Sequence, residues 1–339
     1  MDGLPPRRMC TQCVLVDSPP DITIDTSGLC SVCRSAQCAR KIPGGDDFLE
    51  SDFTRVLAKH RGKAPYDCLV MCSGGKDSTS SLFYMKRRYK MNPLAFTFDH
   101  GFETEDALEN VRKAVEILGV DFLFFRSTYM SEMFARILTS GSKAVLCHLC
   151  SIWYMQLTFD IAARYDIPII VAGWTKGQSS KQGVMSKCAC NVSAPEYQSM
   201  SKATKDFLAS LKGDPRYKDF PQSMEEVLER AKKRHKAMVL SPHWFLGTHA
   251  DEYVELIKTE LDWKYPRLSY PGQSTNCYLN FLSVHQSLKN YGFTHYHVEM
   301  SKLIRENLLT REEALEMLAF DYDREFLDSI AGRLGCRLP

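Results

Sequence analysis

The chain has 339 residues, 44% of them hydrophobic and 25% charged, with a formal net charge of +2. This composition is that of a folded chain, long enough for a main domain with one or two smaller modules, and its near-neutral balance says nothing about a local basic patch. No apolar run approaches the roughly eighteen residues of a membrane span, and residues 1–8 carry charge and two prolines where a leader would have an apolar core. A cytoplasmic protein with no membrane partner is expected. Thirteen cysteines in such a chain stay reduced, so paired cysteines point to metal ligands before disulfides.

In chain order, the first paired cysteines are Cys10-x-x-Cys13 and Cys30-x-x-Cys33, with sixteen residues between the pairs. That is the spacing of a closed, tetrahedral four-thiolate zinc site, and Cys38 lies near enough in sequence to replace one ligand. A small zinc-ribbon-like module over 1–45 is predicted. A helix over 46–60 then leads into an apolar run at 66–71, which reads as a buried parallel strand. Helices at 78–89, 105–118, 130–138 and 150–165 alternate with strands at 93–98, 122–125 and 167–172. The alternation implies right-handed crossovers and a parallel sheet with helices on both faces, an α/β core over 46–177. Residues 178–270 are rich in Lys, Ser and Gln with short helical patterns, and are expected to form an insertion or lid over the substrate region. A helical region over 271–339 closes the chain; Thr310-Arg-Glu-Glu313 within it is a capping-box sequence.

Ser73-Gly74-Gly75-Lys76-Asp77-Ser78 follows the 66–71 strand and precedes a helix. Two glycines let backbone N–H groups turn toward an anion, the helix start adds positive character, and Ser73, Lys76 and Ser78 add donors. Such a loop cradles pyrophosphate, and its spacing is not that of a Walker A motif. The hexapeptide resembles the signature of the PP-loop ATP pyrophosphatases, whose fold is adenine nucleotide alpha-hydrolase-like and which cleave ATP between the α and β phosphates. The resemblance implies that Ser73, Gly74, Gly75, Lys76, Asp77 and Ser78 hold the pyrophosphate of ATP, with Asp77 a contact for Mg2+. It also places Phe98 and Asp99, at the end of the next strand, beside adenine and ribose. Gly173, after the 167–172 strand, would allow close approach to the nucleotide, and Lys176 is a candidate for neutralising phosphate charge.

The amino-terminal cysteine segment, the Phe98-Asp99-His100-Gly101-Phe102 stretch and the tail around Arg305 and Thr310-Arg-Glu-Glu-Ala314 resemble the N-acetyl sugar amidotransferases of that superfamily, over most of the chain. Cys147-His-Leu-Cys150 is not part of that pattern. It is similar to the Cys-x-x-Cys of PP-loop tRNA thiolation enzymes, where a distant third cysteine completes the protein ligands of a [4Fe-4S] cluster and one iron stays open for hydrosulfide. Cys277 is the candidate third ligand, with Cys188 and Cys190 as competitors. A second zinc site, a persulfide pair and inert buried thiols remain alternatives for the pair. Cys68 and Cys72 read as core packing. Asp99, His100 and Glu103 either position magnesium or substrate or simply form a turn, and Arg305 and Arg311 either contact an anionic group or pair along a helix face.

The expected chemistry is adenylation of a substrate carbonyl oxygen, followed by replacement of that oxygen. Sulfur, delivered through Cys147, Cys150 and Cys277, gives a thiocarbonyl; ammonia from a glutaminase subunit gives an amidine on an N-acetyl sugar nucleotide. The tRNA enzymes carry Gly-His-Asn where this chain has Gly173-Trp174-Thr175, so a small-molecule acceptor is favoured over tRNA. A sulfur donor or a glutaminase is the expected partner, and superfamily members are often homodimers. A nucleotide-sensing module without turnover is the reading from a different class.

Overall fold

The structure, a computed structural model, describes residues 7–38, 49–175, 195–272 and 274–338. Lys176, Cys188 and Cys190, and the boundaries at 45/46 and 177/178, lie outside the described residues.

Five parallel strands form one sheet: β1 (Cys68–Met71), β2 (Pro93–Asp99), β3 (Asp121–Arg126), β4 (Ile169–Val171) and β5 (Met238–Leu240), in the spatial order β3-β2-β1-β4-β5. The order reverses between β1 and β4, so a crevice opens beyond the carboxyl ends of those two strands. β1, β2 and β4 are buried along their whole lengths, and their side chains divide between two cores. Leu69, Met71, Leu94 and Phe96 join one, while Cys68, Val70 and Ala95 join the other, as the two-residue period of a strand requires. β3 and β5 are the edge strands, and Phe124 and Phe125 are exposed on β3.

The helices are α1 (Ser31–Cys38), α2 (Glu50–His60), α3 (Lys76–Phe83), α4 (Glu105–Leu118), α5 (Ser131–Thr139), α6 (Leu146–Arg164), α7 (Gln198–Ser210), α8 (Met224–Arg234), α9 (Ala250–Leu261), α10 (Tyr278–Tyr291), α11 (His295–Arg305), α12 (Arg311–Leu318) and α13 (Arg324–Gly332). Residues of α2, α3, α4 and α9 cover one face of the sheet, and α5, α6, α8, α10 and α13 the other. This is the α/β sheet with helices on both faces that the alternation predicts. Local chemistry sets several boundaries. α4 starts where the Thr104 hydroxyl accepts from Ala107 N and stops at Gly119, φ +58°. α12 opens with the reciprocal box in which Glu313 accepts from Thr310 N at 2.8 Å. The 78–89 helix ends early, at Phe83, and continues as a π turn over Tyr84–Arg88.

One strand was not anticipated. The 178–270 stretch, expected as lid and helices, supplies β5, which pairs with β4 over Met238–Leu240 and so extends the core sheet. Three apolar residues between helices are too short a run to show a period.

Candidate active site

The loop after β1 is fixed by its own side chains and by distant ones. Gly74 has φ +76°, and a Cβ there would lie 2.0 Å from the carbonyl oxygen of Ala107, so only glycine fits. The Ser78 hydroxyl accepts from Ser73 N at 3.2 Å and donates to the Gly75 carbonyl at 3.2 Å, with Ser73 Oγ 3.1 Å away. These two hydroxyls therefore shape the loop from inside. Gly75 precedes α3 without a side-chain cap, and the first N–H groups of any helix lack partners within it. They face the crevice as an anion-binding end.

Lys76 and Asp77 open the helix and form an ion pair at 3.1 Å. Asp77 Oδ1 also accepts from the Tyr253 hydroxyl at 2.5 Å, and the backbone carbonyl of Asp77 lies 2.9 Å from His243 Nε2. Burial lowers the His243 pKa, which disfavours the charged ring beside that carbonyl. Lys76, Asp77, Thr175, His243 and Tyr253 line a cavity of about 450 Å³.

Three of the expected nucleotide contacts have further roles in the fold. Gly173 is close-packed against the loop: a Cβ would sit 2.6 Å from Ser78 N. Phe98 and Asp99 line neither of the two cavities described here. Phe98 is buried against Phe125 and Tyr154, and Asp99, 2% exposed, accepts from Gly101 N at 2.6 Å and so holds the turn after β2.

A second cavity, about 360 Å³, adjoins the first, and Tyr296 and Glu299 line both. Cys147 and Cys150, near the start of α6, line it together with Cys277, the residue before α10. Burial, first, lifts all three thiols above their usual range, Cys147 to about 11. Cys150 is raised further by the charge of Cys147, and Cys277 by those of Glu103, Cys150 and Cys147, so the thiols sense one another. A cation bound among them would reverse that order and favour thiolates. His100 and Glu103 share this cavity. The ligating atoms of His100, Glu103 and Cys277 lie within 4.8 Å of one another, close enough to hold a metal ion. Burial pushes His100 down to about 4 and Glu103 up to about 8. His148, between the paired cysteines, is also buried and held neutral, with a pKa of about 4.

Cys10, Cys13, Cys30 and Cys33 come together with all four sulfurs within 4.8 Å, the arrangement of one tetrahedral ion. Cys13, accepting from Cys30 and Cys33, is held well below the usual thiol range. Arg311 does not pair along a helix face here: its Nε donates to the Cys13 carbonyl at 3.2 Å and its Nη2 to the Cys10 carbonyl at 3.3 Å. Cys68 and Cys72 are buried in the core, where burial raises both thiols, Cys72 to about 12.

The residues that brace the loop were not legible as site residues. Trp263, Asn110 and Tyr253 carry no motif, and Tyr296 and Glu299 sit in an ordinary helix sequence; the one local hint was the aromatic and histidine density of 291–297.

Residues 67–164, from β1 through α6, match the family model described as QueC: Queuosine biosynthesis protein QueC. An uncharacterized protein of Methanocaldococcus jannaschii, MJ1599, is 21% identical over 85% of each chain. Among solved structures, the U34-tRNA thiolase NcsA from Methanococcus maripaludis, with its [4Fe-4S] cluster, is 14% identical over 89% of this chain and 88% of its own, at a TM-score of 0.37. NMN synthetase from Francisella tularensis is 10% identical over 86% of this chain and 99% of its own, at a TM-score of 0.38.

Proposed function

We infer that this chain, whose core is that of the PP-loop ATP pyrophosphatases, uses ATP to replace a carbonyl oxygen of a small heterocycle or amide with sulfur. One observation carries the reading. Three cysteines spread over 130 residues of sequence line one cavity, and that cavity adjoins the one at the phosphate loop through Tyr296 and Glu299.

A [4Fe-4S] cluster fits the residues present. Cys147, Cys150 and Cys277 supply three thiols, and the cavity wall also holds buried nitrogens without partners, His100 Nδ1 and His148 Nδ1. Bound there, such a cluster would supply the sulfur as hydrosulfide. The chain's own residues do the rest. Lys76 and the first N–H groups of α3 would receive the β and γ phosphates, and Asp77, positioned by the Tyr253 hydroxyl, would take Mg2+. The substrate oxygen attacks the α phosphorus, the bond to pyrophosphate breaks, and the carbon–oxygen bond becomes that of a good leaving group. Hydrosulfide then attacks the carbon and AMP departs. The balance is redox-neutral: carbonyl, ATP and hydrosulfide give thiocarbonyl, AMP and pyrophosphate. Zinc is the ion assigned to the four-cysteine module, as a structural site.

Cavities of about 360 and 450 Å³ suit a nucleotide and a small acceptor, which supports a small molecule over tRNA. The test is anaerobic purification with iron and sulfide analysis of the wild type, Cys147→Ala and Cys277→Ala. About four irons per chain, lost in both variants, is the expected result. Zinc alone, unchanged by either substitution, would overturn sulfur insertion and point to amidation with ammonia from a glutaminase partner.

A further inference from the structure

We propose that Glu103 is an exchangeable oxygen ligand to the metal centre held by Cys147, Cys150 and Cys277, occupying the position that the three cysteines leave free until hydrosulfide displaces it. The proposal rests on the sulfur-insertion reading.

The turn carrying Glu103 is joined to the segment carrying Cys277 by main-chain bonds. Glu103 and Cys277 form an isolated antiparallel bridge, Thr104 N donates to the Asn276 carbonyl at 3.0 Å, and Tyr278 N donates to the Phe102 carbonyl at 2.8 Å. This fixes the carboxylate at the thiol cavity, with its side chain 15% exposed. Its carboxylate oxygen lies within 4.8 Å of the Cys277 sulfur, and it lines the same cavity as Cys147 and Cys150. Glu103 therefore shares the cavity of all three thiols.

A carboxylate in such a place needs a partner, because burying an unpaired charge is costly. Among the described residues its side chain accepts no hydrogen bond, and the His100 imidazole Nε2 is 3.8 Å from Oε1, beyond one. The same Nε2 is 3.6 Å from Cys277 Sγ. His100 Nε2 is within hydrogen-bonding reach of the Cys277 sulfur and not of the carboxylate, which leaves the Glu103 oxygen to face a metal. Oxygen is a poorer match than sulfur for a thiophilic iron site, so hydrosulfide can replace it. One metal–oxygen bond breaks as one metal–sulfur bond forms, the carboxylate is released, and no electrons are transferred.

The experiment uses the full chain reconstituted anaerobically with ferrous iron and sulfide, as wild type, Glu103→Gln and Cys277→Ala. Ferricyanide oxidation is followed by electron paramagnetic resonance as loss of the unprotected iron, and sodium hydrosulfide binding by absorbance. Glu103→Gln should hold as much iron as the wild type, lose that iron on the order of tenfold faster, and bind hydrosulfide tighter by a similar factor. Glu103→Asp, with a shorter arm and the same oxygen, should fall between them. Identical oxidation rates and hydrosulfide affinities in wild type and Glu103→Gln would overturn the proposal while leaving the three-cysteine centre intact. A wild type that takes up no iron, or a Cys277→Ala chain that keeps all of it, would overturn the underlying reading as well.

Discussion

The indole N–H of Trp263 donates to the carbonyl oxygen of Gly74 at 2.9 Å, across 189 residues of sequence. Asn110 Nδ2 approaches the same carbonyl at 3.3 Å and also donates to the Lys264 carbonyl at 2.8 Å, so the 263–264 segment and α4 together hold the loop in its left-handed turn. Trp263→Phe keeps an aromatic ring but removes the donor and part of the buried indole. It should cost about 1–2 kcal/mol in urea unfolding and raise KM for ATP more than it lowers kcat in a pyrophosphate-release assay. A fall in kcat at unchanged KM would show that the bond does not serve nucleotide binding.

Gly74→Ala is a more severe test of the same loop. The added methyl meets the Ala107 carbonyl at 2.0 Å, and alanine must also take φ +76°. The combined strain should destabilise the chain by more than about 2 kcal/mol and abolish ATP binding by calorimetry. Gly62→Ala provides the control, since φ is similarly positive, +69°, but nothing lies within 4 Å of its Cβ. Comparable loss of binding in both variants would rule out the close approach as the cause.

What was readable in the sequence divides along the same line. The hexapeptide from Ser73 to Ser78, the buried runs of β1, β2 and β4, and the Thr310–Glu313 box are local patterns whose physics acts over a few residues. Trp263 and Asn110 act through single bonds across long separations, and no local pattern marks them. β5 escaped notice because three residues show no period, and the packing of Gly173 was not legible because the loop that crowds it, Asp77 and Ser78, arrives from another strand. Asp99 holds the turn after β2, one of the two roles that its sequence position left open.

Lys76 lines the phosphate-loop cavity, whereas Cys147 lines the adjoining thiol cavity. The two halves of the proposed reaction should therefore separate. Lys76→Ala should abolish pyrophosphate release, and Cys147→Ala should spare acceptor-dependent pyrophosphate release while stopping formation of the sulfur product. Loss of pyrophosphate release in both variants would refute this division.

Arg311 secures the four-cysteine module through the carbonyls of Cys10 and Cys13. Arg311→Ala should leave the four sulfurs in place but loosen the backbone that presents them, so metal should pass to a chelator on the order of tenfold faster. An unchanged rate would mean that the cysteine loops hold their geometry without α12.

His297 gives an acid-sensitive cap to α11. Its Nδ1 accepts from Thr294 N at 3.2 Å and lies 3.0 Å from Thr294 Oγ1, which requires an unprotonated nitrogen. Burial lowers its pKa from 6.5 to about 4. Above pH 6.5 neither the folded nor the unfolded chain carries this proton. As pH falls below 6.5 the unfolded chain binds it first and the folded chain only near 4, so stability present at neutral pH is lost through that window. One such site contributes a slope of about 1.4 kcal/mol per pH unit. His297→Gln can accept the same N–H without titrating, as glutamine does at this position of a capping box. Its unfolding free energy should be close to that of the wild type at pH 7.5 and should fall less steeply toward pH 4, by up to that slope. Buried His295, with a pKa of about 3, acts in the same direction, so the variant's acid sensitivity should be reduced but not removed. Equal slopes in urea titrations of the two proteins would exclude His297 as a source of it.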